Sequence, residues 1–180
     1  MSLEAVVGFE RRATAVAWFA AVGAPLAPDA RADAEAWLRA LGRTDVALEP
    51  VADWPRAKAL ADAPGWDQAW WVAEERQRTA LLAEATARHG RAPLFDALTR
   101  VTQAVSDPAH ERALQSLAHA GLDDAGLARA AAGAATQAAY LGALAVAADQ
   151  PATHAFAAKF RLFEAGRWPL GIVTARLWVL

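Results

Sequence analysis

The sequence predicts an all-α fold, a single-domain array of about seven or eight helices ending in an extended or short β tail. Three observations carry that expectation. Alanine-rich stretches repeatedly place apolar residues at i, i+3, i+4 and i+7, which gathers them on one face of a helix. Proline and glycine fall between these stretches, where they start and stop helices. From Gly166 onward the pattern changes, because Pro169 and Gly171 lead into β-branched and large apolar residues with almost no charge.

The elements follow in order. A first helix is expected from about Leu3 to Val22, with Val6, Phe9, Ala13, Val16 and Ala20 along one face, stopping at Gly23 and Pro25. Asp29 should cap a second, to Leu41, in which Ala34, Trp37, Leu38 and Leu41 make the buried stripe. Residues 43–52 read as the longest irregular stretch. Asp53 should cap a short third helix with Pro55 in its first turn, ended by Pro64 and Gly65. The fourth starts at Trp66 or Asp67 and ends at His89, before Gly90. Pro93 opens a fifth helix to about Val105, and Asp107 and Pro108 open a sixth to about His119. Asp123 should cap a seventh to about Ala148, and an eighth spans roughly Ala152 to Ala165 with Phe156, Phe160 and Phe163 on one side. No repeat or linker-like composition divides the chain, so residues 1–180 read as one domain with 166–180 as its tail.

Composition narrows the function classes. The chain is 56% hydrophobic and 21% charged, as a folded domain should be. Much of the apolar fraction is alanine, which buries little area, so the eight tryptophans must supply core volume. A net charge of −2 gives no field for nucleic acid or an anionic membrane. Lys58 and Lys159 are the only lysines, and arginine carries the remaining positive charge. The absence of cysteine removes disulfides, thiolate catalysis and sulfur-ligated zinc. Arg11 and Arg12 precede a soft apolar stretch that loosely mimics a secretory signal, but Glu4 and Glu10 interrupt the basic region, so a cytoplasmic location is expected. No apolar run approaches the ~20 residues of a membrane span.

Motifs for chemistry are sparse. None of the three serines lies in a Gly-x-Ser-x-Gly elbow, and no phosphate-binding glycine loop occurs. His89, His110, His119 and His154 sit near helix ends without the i, i+4 spacing of a metal clip. No metal or other cofactor is expected.

Two regions stand out. In "GWDQAWWVAEERQR", residues 65–78, helical spacing puts Glu74 and Arg78 one turn apart on the face that carries Trp70 and Trp71. The pair reads either as an ordinary Glu–Arg bridge at the edge of an apolar stripe or as a charged site framed by indoles. The seventh helix is nearly uncharged after Arg129 and holds Gly126, Gly133 and Gly142, which suggests close backbone approach to its neighbours. Its mid-helix polar groups are Thr136, Gln137 and Tyr140.

Two functions follow as expectations. The leading one is a non-enzymatic helical protein that acts through a protein partner or its own homodimer, with Trp168, Ile172, Leu177 and Trp178 of the tail at the interface. The alternative is a small-molecule-binding domain or enzyme, with a pocket between the fourth and seventh helices formed by Trp70, Trp71, Glu74, Arg78 and Tyr140.

Overall fold

A computed structural model describes residues 3–180. Its elements are α1 (Glu4–Thr14), α2 (Pro28–Ala40), β1 (Ala47–Pro50), α3 (Trp54–Ala61), α4 (Ala69–His89), α5 (Arg91–His119), α6 (Ala125–Ala147), α7 (Ala155–Glu164), β2 (Pro169–Val173) and β3 (Arg176–Val179). The fold is mainly helical with a short β portion, and one continuous buried cluster draws on all seven helices and the sheet.

The centre is α6, which buries side chains around most of its circumference and packs against α5, α7, α1 and α4. By length and composition this helix could cross a membrane, contrary to the expectation that no segment would; 61% of that apolar window is buried inside the fold. Of its three glycines, only Gly142 mediates close approach. A Cβ there would lie 2.6 Å from Phe9 Cζ, so the missing side chain lets α1 seat on α6. Gly126 and Gly133 lie on its exposed face instead.

Several boundaries differ from expectation for identifiable reasons. Helix α1 stops at Thr14, and residues 15–23 form turns in which Phe19 takes a left-handed φ of 59°. That departure lets the consecutive Trp18 and Phe19 both reach the core, where each ring meets Phe163. The fifth and sixth expected helices are one, with Pro108 inside α5. Pro108 is exposed, and the buried stripe of Val101, Val105, Ala109, Ala113 and Leu117 runs past it in register. Packing along that stripe outweighs the one hydrogen bond proline removes.

Helix starts also sharpen. Asp53 accepts from Arg56 N at 2.8 Å as expected, whereas Asp124, not Asp123, caps α6 by accepting from Leu127 N at 2.9 Å. Helix α2 begins with Pro28 in its first turn and no side-chain cap, so Asp29 does not cap it. In α7 the cap is His154, whose Nδ1 accepts from Phe156 N at 3.1 Å.

The irregular stretch 43–52 contains a strand. β1 runs parallel to β3 with Leu48 opposite Leu177, and β2 runs antiparallel to β3 with Ile172 opposite Leu177, giving the order β1-β3-β2. Thr174 and Ala175 both adopt left-handed φ in the two-residue turn between β2 and β3, the geometry that matches strand twist. Trp66 bridges to Val173, and Asp67 N donates to Ile172 O at 2.9 Å, so this segment guards the β2 edge and α4 starts only at Ala69. Gly171, at φ 138°, lies under the indoles of Trp66 and Trp70, where a Cβ would come within 2.7 Å of Trp66. The tail is therefore paired and covered by its own chain.

Candidate functional site

Helix α4 carries two adjacent stripes, because each residue turns 100° about the axis. One, through Trp70, Glu74, Gln77, Leu81 and Ala85, faces inward; the next runs through Trp71, Glu75, Arg78, Leu82 and Thr86, of which Leu82 and Thr86 line a groove beside α5. Of the five side chains expected to share one pocket, four are divided between these two stripes and the fifth, Tyr140, comes from α6; they do not form one site.

Glu74 is buried at 2% exposure, and its partner is Lys159 of α7, not Arg78. Lys159 Nζ donates to Oε1 at 3.0 Å and Oε2 at 2.8 Å, while Trp37 Nε1 of α2 donates to Oε1 at 2.9 Å. The ammonium also lies 5.1 Å from the Trp37 ring centre and 5.2 Å from that of Trp70, and these two rings meet edge to face at 5.6 Å. Every strong electrostatic need of the pair is met within the protein. A carboxylate so engaged is a tie between three helices rather than an acid–base group.

Arg78 turns instead to Glu75, which it grips through two guanidinium nitrogens, and lies beside the Tyr140 hydroxyl. The Glu75 carboxylate, with a smaller contribution from Tyr140, holds Arg78 more firmly protonated than usual. Trp71 is 54% exposed and walls no enclosed space.

Tyr140 does line a cleft, formed between α4 and α5 over α6, with a volume of about 610 Å³. Leu82 and Thr86 come from α4; Arg91, Leu94, Phe95, Leu98, Thr99 and Thr102 come from α5. The hairpin at Gly90, with φ 80°, turns the chain so that these two stripes face the same space. From Arg91 to Thr102 the helix rises about 16 Å, so the cleft is elongated. Its middle is aliphatic and aromatic, with Phe95 68% exposed at the rim. Polar groups are few: Arg91 near the hairpin, threonine hydroxyls, and Tyr140 beside the Arg78–Glu75 pair. Thr102 donates its own hydroxyl to Thr99 O at 2.9 Å, which leaves its oxygen free to accept.

The stripe of α5 that lines this cleft was missed by sequence reasoning. Its signal was present, since Phe95, Thr99 and Thr102 sit at helical spacing beside the buried Leu94, Leu98 and Val101 stripe. Spacing alone could not show that this face, which lies within the expected fifth helix, is left open by its neighbours.

Of the four tail residues expected at an interface, Trp168, Ile172 and Leu177 are buried within the chain, and Trp178 is half-buried beneath the Arg56 guanidinium, 5.4 Å from its ring centre. Among the described residues no group of three or more His, Asp or Glu side chains is placed to hold a metal ion. Comparison with known protein-family models, curated proteins and solved structures finds no match.

Proposed function

We propose that the protein is a binding protein for an elongated, largely apolar small molecule, held in the cleft between α4 and α5. The single observation that carries this reading is the cleft itself, about 610 Å³ with apolar walls and a few separated polar groups. Ligand sites in proteins have that size and that balance of lining. Binding is favoured over catalysis because, among the described residues, the lining contains no histidine, carboxylate, lysine or cysteine to move a proton near neutral pH.

The test is titration of the full chain with 1-aminoanthracene, a neutral fluorophore that brightens in apolar sites. Saturable binding at one site per chain is expected. Thr99→Trp, which places an indole in the cleft from a half-buried position, should abolish it without changing the thermal melt. No saturable binding, or binding unaffected by Thr99→Trp, overturns the reading.

A second reading, contact with a protein partner or a second copy, draws on the exposure of Phe95 and Trp71. Light scattering coupled to size-exclusion chromatography tests the second copy. A dimer that Phe95→Ser converts to a monomer supports it, and a monomer at all concentrations removes it.

A further inference from the structure

Beyond size and apolarity, the cleft has one formal charge among its lining residues, Arg91. We infer that the ligand is an amphipathic carboxylate, its anionic head on Arg91 and its apolar body running along α5 toward Tyr140. This rests on the binding reading above and adds the ligand's chemical class.

Arg91 differs from the other arginines around the cleft. Arg78 is held by Glu75, Arg88 by Glu84 and Asp149, and Arg100 by Glu10. Arg91 has no acidic partner among the described residues, so its guanidinium is available for a bidentate contact with a carboxylate.

The backbone reinforces it. Arg91 is the first residue of α5, a 29-residue helix capped by Gly90 without any side-chain bond. Leu94 N donates back to Gly90 O at 3.3 Å, and Pro93 has no N–H. The amides of Arg91 and Ala92 remain the open donors of the first turn, at the positive end of the helix dipole.

From that end the walls are mainly apolar through Leu94, Phe95, Leu98 and Leu82, and turn polar again toward the far end at Thr99, Thr102 and Tyr140. Such a sequence of surfaces fits a charged head, a long apolar body and at most a neutral polar end. A phosphate dianion would require more than one cation, and a cationic head would face Arg91.

The experiment uses the full chain with 1-aminoanthracene bound, and displaces it with dodecanoate, dodecanol or dodecylamine at concentrations below their aggregation. Dodecanoate should bind roughly tenfold more tightly than dodecanol, the scale expected for one hydrogen-bonded charge pair, and dodecylamine more weakly than either. Arg91→Gln should bring dodecanoate to the level of dodecanol, and Arg91→Glu should weaken it further. Each variant is first titrated with 1-aminoanthracene, and the readout is the ratio of dodecanoate to dodecanol affinity on that same variant, so a change in the apolar site itself cancels.

Equal affinities for dodecanoate and dodecanol, or an advantage for dodecanoate that survives Arg91→Gln, would overturn the inference while leaving the apolar site standing. Failure of 1-aminoanthracene to bind strikes the underlying reading instead. Displacement of the fluorophore by an acidic amphipathic peptide but not by dodecanoate would replace the small molecule with a helical partner, and so overturn the inference as well.

Discussion

Lys159 Nζ lies 2.8 and 3.0 Å from the two carboxylate oxygens of Glu74, and both residues are almost wholly removed from water. Removing either partner leaves a buried charge without compensation, which costs about 3–5 kcal/mol. Lys159→Met and Glu74→Gln should each be destabilising on that scale. The double variant leaves no charge, and the amide oxygen introduced by Glu74→Gln would still accept from Trp37 Nε1. Its loss should therefore fall well short of the two single losses added together, as measured by urea denaturation. Additive losses would show that the two groups act independently.

Two glycines on α6 should respond oppositely to alanine. At Gly142 a methyl group would sit 2.6 Å from Phe9 Cζ, and that ring is fixed by Phe160 with centres 4.6 Å apart. Gly142→Ala should cost about 1–3 kcal/mol from overpacking, more than helix propensity returns. At Gly133 nothing lies within 4 Å, so Gly133→Ala should stabilise by up to about 1 kcal/mol. Denaturation midpoints shifting in the same direction for both would contradict this placement of the helix.

Leu177 sits on the middle strand, opposite Leu48 on one side and Ile172 on the other, and is fully buried. Leu177→Asp places an unpaired carboxylate there, a loss of several kcal/mol. Cooperative thermal unfolding should disappear. A folded monomer from this variant would instead indicate that the strand's apolar face is covered by a second chain.

Stability should decline as pH falls through the range of His154. Burial lowers its pKa below the ordinary 6.5, and its Nδ1 must be unprotonated to cap α7. The unfolded chain therefore takes up this proton at higher pH than the folded one does. The contribution is fully present above the ordinary value and is lost as pH drops toward the depressed one. Glu164 adds a slope of opposite sign, since burial pushes its carboxyl up against the opposing pull of Arg12. The informative measurement is thus the difference between the native chain and His154→Asn, which keeps a capping side chain without the titration. If the two curves of stability against pH run parallel between pH 7 and 5, His154 contributes nothing.

Much of the architecture was legible in residue order. Asp53 and Pro55 marked the start of α3, Gly90 marked the end of α4, and Pro169 with the β-branched run after it marked the strands of the tail. What escaped was set by tertiary contact. Pro108 reads as a stop, yet the buried stripe on either side carries α5 through it. Residues 47–50 lack a strand pattern of their own and are strand because β3 offers its edge.

The same holds for the candidate site. Helical spacing placed Glu74 beside Arg78, but Lys159, 85 positions further along the chain, took Glu74, and Glu75 took Arg78. Sequence could show that charges and indoles share a helix; it could not show which of two adjacent stripes each neighbouring helix would cover. Tyr140 was expected to line a pocket with the tryptophans; the structure places it in a cleft lined by α5 residues instead.

The pairing of Ala47 with Arg176 has a kinetic consequence. Helices of this chain close on contacts a few residues apart, whereas β1 and β3 meet across roughly 130 intervening residues, a loop whose closure entropy no local contact offsets. Folding speed should therefore follow the meeting of these two short strands and not the winding of the helices. By helix content the protein belongs with fast-folding bundles; by its longest-range contact it belongs with slower mixed folds.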